Sequence, residues 1–199
     1  MVDRTSLQCT AFVKGRRVAE GPLNKVALAV RSHLDRERNA MALIFDDASG
    51  WAIDLDLRGS EAEIVERLAH HPFVKSREAP PSGPRQPGRP KLGVVAREVT
   101  LLPRHWEWLN AQPGGASVAL RKLIDEARRT KGARDRVRRA SEVTYRFLSA
   151  MAGNETGYEE ALRALFARNR ERFAELITPW PADVAAYAGK LSNAVFAAE

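Results

Sequence analysis

Cysteine is nearly missing from this chain. Cys9 is the only one in 199 residues, which excludes an intrachain disulfide and a zinc site built on cysteine. No apolar run approaches the roughly 18 residues that a membrane-spanning helix needs. The opening MVDRTSLQC lacks the basic-then-apolar order of a secretory signal, so a cytoplasmic protein with no membrane partner is expected. The short motifs of common catalysis are missing too. There is no Gly-x-Ser-x-Gly elbow, no phosphate loop ending in Gly-Lys and no dinucleotide fingerprint. His33, His70, His71 and His105 show no metal-ligand spacing. Asp46, Asp47, Asp54 and Asp56 gather around a predicted hairpin, where turn chemistry and a solvated strand face explain them better than a divalent cation. Cys9 falls on a predicted strand without an activating neighbour. No cofactor and no metal are expected. An enzyme of unrecognised type is kept as an alternative, since small folds can hide dispersed sites.

Acidic residues are scarce in one place above all. The net charge is +7, but between Arg85 and Arg139 fourteen Lys or Arg face only five acids, a local net of +9. The remainder of the chain therefore sums to −2. Charge concentrated in one segment points to an anionic partner, with nucleic acid first.

The pattern along the chain predicts an α+β protein. Residues 1–74 read as a small ββαββα unit. Two short strands flank the turn Lys14-Gly15-Arg16, and a helix follows with Val26, Val30 and Leu34 at helical spacing. AMALIF is apolar on both faces, as a buried strand would be. WAIDLDLRG alternates like a half-exposed strand. Ser60 and Glu63 stand in capping-box spacing before the next helix. Two helices on one face of a four-stranded sheet are expected. Residues 75–93 hold five of the eleven prolines and form the predicted linker. Residues 94–131 predict a strand, a short helix opened by Pro103, a Gly-containing turn, and a second helix with Ser117 as N-cap. Residues 132–199 predict helices only. There Thr156 and Glu159 give a second capping-box signal, and Leu162, Leu165, Phe166, Phe173, Leu176 and Ile177 share an amphipathic face.

The stretch REVTLLPRHWEWLNAQPGGASVALRKLIDEARR, Arg97 to Arg129, resembles a ribbon-helix-helix DNA-binding module of the MetJ and Arc type. The resemblance implies a homodimer whose paired strands enter the major groove. It also implies that the second helix offers its N-terminal amides, from Ala116, Ser117 and Val118, to a phosphate. Trp106, Leu109, Leu120, Leu123 and Ile124 would be core. Trp106 and Trp108 cannot share a face, so one is expected in the core and the other against a partner or the C-terminal helices. The strand departs from the pattern: neither Arg97, Val99 and Leu101 nor Glu98, Thr100 and Leu102 form a base-reading set. The run Arg128 to Arg139 is either a solvated helix junction or a phosphate-contacting patch.

Within the linker, PGRPK resembles half of an AT-hook, whose extended Arg-Gly-Arg-Pro core sets an arginine into an A/T-rich minor groove. Arg89 would insert, with Lys91 and Arg85 on phosphates; Pro87 stands where the first arginine belongs. A plain tether is the competing reading. The stretches CTAF, LIFDDASGWAIDLDLRG, GRPKLGVVAREVTLLPRHWEWL and QPGGASVALRKLIDEAR together resemble a bacterial family, domain of unknown function 2239. That resemblance implies a bacterial cytoplasmic protein with this order of segments and supplies no activity. The expected function is non-enzymatic DNA binding as a homodimer, transcriptional or nucleoid-associated. The candidate contacts are Arg85, Arg89, Lys91, Arg97, Thr100, Arg104, Gly115, Ala116, Ser117, Arg121 and Lys122. The alternative is a protein-interaction adaptor of antitoxin type, gripping a partner with the C-terminal helices.

Overall fold

A computed structural model of the chain describes residues 7–37, 40–75 and 97–197. These fall into two compact units, one of residues 7–75 with 134–197 and one of residues 97–133. Described residues 7–75, which carry the sheet, and residues 134–197, which carry the C-terminal helices, thus fall in one unit.

The sheet follows the predicted order. Strands β1 (Gln8–Val13) and β2 (Arg16–Pro22) form a hairpin, helix α1 (Leu23–Arg36) follows, then β3 (Ala42–Asp46) and β4 (Ala52–Ile53). All pairings are antiparallel and the strand order is β2-β1-β3-β4. Lys14 and Gly15 both take positive φ (50° and 77°), the twist that a tight hairpin needs. Helix α2 (Glu61–Ala69) starts at the expected capping box: the Ser60 hydroxyl accepts from the Glu63 amide, and the Glu63 carboxylate accepts from the Ser60 amide. The short α3 (Pro72–Lys75) closes this half.

The strand expected over WAIDLDLRG is only two residues long. Leu55 and Leu57 are half-buried and Asp54 and Asp56 exposed, as alternation predicts, but their backbone is claimed elsewhere. His71 contacts the Asp54 carbonyl, Arg67 donates to that of Asp56, and Arg31 to that of Leu57.

Alternation in β1 and β3 sends side chains to two cores. Cys9, Ala11 and Ile44 face α1 and α2, where Val26, Val30, Ile64 and Leu68 cover them. Phe12 and Phe45 face the other way, onto helices from the C-terminal part. The sheet is therefore covered on both faces and not on one. Those helices are α5 (Gly115–Met151), α6 (Tyr158–Phe166), α7 (Arg170–Ile177) and α8 (Ala182–Phe196), preceded in the chain by α4 (Pro103–Asn110). The aromatic rings meet edge to face or tilted: Phe147 lies 5.1 Å from Phe45, 5.4 Å from Phe12 and 4.7 Å from Tyr187. Each such pair contributes about 0.5–1.5 kcal/mol beyond area burial.

Three expectations about helix ends differ from the structure. The break predicted near residues 131–134 does not occur, and α5 runs unbroken through Gly132. One helical glycine costs only about 1 kcal/mol against alanine, and its Lys, Ala and Arg neighbours favour helix. The single face predicted from Leu162 to Ile177 is split between α6 and α7. Arg168 takes φ 56° and Asn169 caps α7 by accepting from the Arg172 amide. Phe166 is exposed as a result. Nor does Thr156 cap α6; Gly157, at φ 78°, occupies that position.

The turn between β3 and β4 meets α5. Asp46 is buried and accepts from the Ser49 hydroxyl and the Ala48 amide. Asp47 accepts from Thr10 Oγ1 (2.8 Å) and from the Tyr187 hydroxyl (2.6 Å), tying β1, the turn and α8 together. Burial first, and then that carboxylate, push the Tyr187 phenol well above its ordinary range, so it stays a neutral donor. Lys190 stands over the Tyr187 ring and donates to Glu20, which holds that carboxyl below its usual range.

Two stability measurements follow from this packing. Gly50 sits at φ 70°, and a Cβ there would strike the Val143 backbone of α5. Gly50→Ala should cost about 1–3 kcal/mol from backbone strain alone, read as a lower urea midpoint at unchanged slope. Tyr187→Phe should cost about 1.5–3 kcal/mol by removing a bond to a charged acceptor, whereas Tyr158→Phe, whose hydroxyl bonds only Ser149, should cost less.

Candidate nucleic-acid interface

Arg85, Arg89 and Lys91 lie outside the described residues. The other candidates belong to the unit of residues 97–133. Arg97 and Thr100 are exposed, on a segment that forms no strand; the expected ribbon over 97–102 is not made within one chain, where it has no ladder partner among the described residues. Neither is the segment covered by helices: Arg97 to Thr100 are all exposed.

Pro103 opens α4 at its first position, where its missing amide and preset φ suit a helix start. Arg104 is exposed in that first turn. The link to α5 needs two left-handed residues, Gly114 (φ 86°) and Gly115 (φ 73°), and the Gly115 amide closes the turn onto the Gln112 carbonyl at 2.9 Å. Ser117 is not the cap, because α5 already begins at Gly115. The first amides of a helix have no intrahelical acceptor, and no acid stands in the first turn of α5 to neutralise the positive dipole end. Gly115, Ala116 and Ser117 thus share one helix start with Arg121 and Lys122, one to two turns further on.

The cations of this unit are open to solvent. Every residue from Arg121 to Lys131 is exposed, and Arg121, Lys122, Arg128, Arg129 and Lys131 make no ion pair among the described residues. Apolar side chains are open as well. Among the described residues of this unit only Leu109 and Ala119 are buried apolar side chains, while Trp106, Trp108, Leu123 and Ile124 are 37%, 52%, 44% and 55% exposed. The core expected around Trp106, Leu123 and Ile124 is absent within one chain, and both tryptophans are exposed. Helical spacing shows which side chains share a face; it carries no signal for whether anything covers that face.

The larger unit holds a feature that sequence reasoning missed. The guanidinium of Arg146 stacks 4.7 Å from the Trp51 ring centroid, donates to the Ser49 carbonyl at 2.8 Å and pairs with Glu142 at 3.6 Å. Trp51 stays 55% exposed, beside Tyr145 at 44% and Phe166 at 57%. Trp51 and Arg146 are far apart in sequence, so no local spacing announces their contact.

Among the described residues no group of three or more His, Cys, Asp or Glu side chains converges to hold a metal, and no helix is long and apolar enough to cross a membrane. No curated protein and no solved structure matches the chain. One family model does, over residues 8–192, and its description is an uncharacterized protein conserved in bacteria. With nearly its whole length matched, the chain belongs to that bacterial family, DUF2239.

Proposed function

We propose that this protein is a non-enzymatic DNA-binding protein of the bacterial cytoplasm, acting as a homodimer in transcription or at the nucleoid. The observation that carries the reading is the exposed cationic start of α5, where Arg121, Lys122, Arg128, Arg129 and Lys131 lack acidic partners among the described residues. Side chains of this kind bind phosphates by releasing counterions, without regard to sequence. The Ala116 and Ser117 amides at the helix start suit one further phosphate, that of Gly115 being taken by the Gln112 carbonyl. Arg97, Thr100 and Arg104 are exposed on the segment leading into it. The apolar side chains left in solvent on α4 and α5 support self-association, since a helix pair that buries so little gains by pairing with a copy. They also favour the second reading, an adaptor that dimerises through this segment and grips another protein with the C-terminal helices.

A salt titration tests the reading. If about six phosphates are neutralised, log K should fall with log salt at a slope near −5, and Arg121→Ala with Lys122→Ala should flatten that slope by about 2. No binding to any duplex at about 50 mM salt would remove the DNA reading and leave the adaptor. Arg89→Ala should cost about 1–3 kcal/mol on A/T-rich duplex and less on G/C-rich duplex; equal losses would reduce Arg89 to a plain charge.

A further inference from the structure

We propose that the groove between β4 and α5, with Trp51 and Tyr145 on its walls, stacks unpaired nucleobases of a single-stranded nucleic acid. The inference rests on the nucleic-acid reading above, but on different residues in the other unit. The groove encloses about 650 Å³ beside Gly50, Ala52 and Ala150, and it is open to solvent. Its polar edge is small and already organised. Arg146 is held by Ser49 and Glu142 and fixes Trp51 by stacking on it, with more than half of that residue in water. A ring held in place before binding loses little freedom on binding. Tyr145 stands beside it, and the Phe166 ring, 6.2 Å from that of Tyr145, extends the aromatic surface onto α6.

The surroundings favour an anionic, planar occupant. Residues 134–150 of α5 carry five arginines against two acids. Arg138 lies two helical turns before Tyr145, and Arg139 two turns before Arg146, so each pair shares a side of the helix about 10 Å apart. Arg138 contacts Asp135 and Glu142 only at 3.4 and 3.5 Å with an exposed side chain. Arg139 has no ion pair among the described residues. Such exposed pairs are weak and give way to a phosphate. Aromatic platforms flanked by free cations bind single strands in this way, bases on the rings and backbone on the charges. An added peptide strand fits less well. The edge strand β4 pairs over two residues only, and the carbonyls just beyond it, of Asp54, Asp56 and Leu57, are engaged by His71, Arg67 and Arg31.

The test is fluorescence anisotropy of the full chain with three labelled probes: an oligothymidine of about 15 nucleotides, an abasic oligomer of equal length, and a duplex. The wild-type protein should bind oligothymidine more tightly than the abasic strand. Trp51→Ala should weaken oligothymidine binding about ten- to hundredfold and leave the abasic strand and the duplex unchanged; Trp51→Phe should keep most of the affinity. Arg138→Gln with Arg139→Gln should weaken both single strands. Equal affinity for oligothymidine and abasic strand, or no effect of Trp51→Ala and Tyr145→Ala in proteins with wild-type melting curves, overturns the groove. Retained duplex binding in that case leaves the DNA reading standing. A change in sedimentation with Trp51→Ala, without a change in oligothymidine affinity, also overturns it and assigns the groove to protein contacts. Binding of none of the three probes by wild-type protein removes both readings together.

Discussion

The contact of Phe12 and Phe45 with Phe147 and Tyr187 is the constraint on which the larger unit depends. A four-stranded antiparallel sheet usually hides one face and wets the other. Here β1 and β3 carry apolar side chains on both, so helices must cover each side. The helices α1 and α2 come from the same stretch of chain as the sheet, while the cover for Phe12 and Phe45 is supplied from residues 137 to 195. The rest follows from that demand. The β3–β4 turn approaches α5 so closely that only glycine fits at position 50, and Asp47 becomes the common acceptor for Thr10 and Tyr187.

The smaller unit is organised on the opposite principle. Its described residues bury little and present charge, aromatic rings and aliphatic side chains to water together. Regions with few buried contacts open at low free energy, and binding segments are drawn from them. Both functional readings draw on this property, since a surface that does not satisfy itself has binding energy left for a phosphate backbone, a second copy or a protein. The same helix, α5, is all exposed from Arg121 to Lys131 and contributes Val137, Phe147 and Leu148 to the aromatic core further on.

Much of the sheet was legible in the sequence because its signals are local. The Lys14-Gly15 turn, the Ser60 to Glu63 capping box and the doubly apolar AMALIF each act within a few residues. The length of α5 was not legible, since RRTKGARDR is polar on every side and gives no period to extend. The break at Arg168 was hidden because an arginine takes the left-handed conformation expected of glycine. For the candidate interface, charge was legible and exposure was not. Leu123 and Ile124 have the spacing of core residues and lie in solvent, while the Trp51 and Arg146 stack depends on tertiary folding alone.

The bond from Tyr187 to Asp47 also has a meaning in time. The sheet leaves the ribosome well before α8 does. At about 5–20 residues per second, the 140 residues between these partners take on the order of ten seconds to appear. Through that interval the Phe12 and Phe45 face of the sheet has at most the earlier helices, with Phe147 of α5, over its apolar side chains, and lacks the α8 part of its lid. Helix α8 thus completes a sheet made long before it, and that face is fully covered only once α8 has emerged.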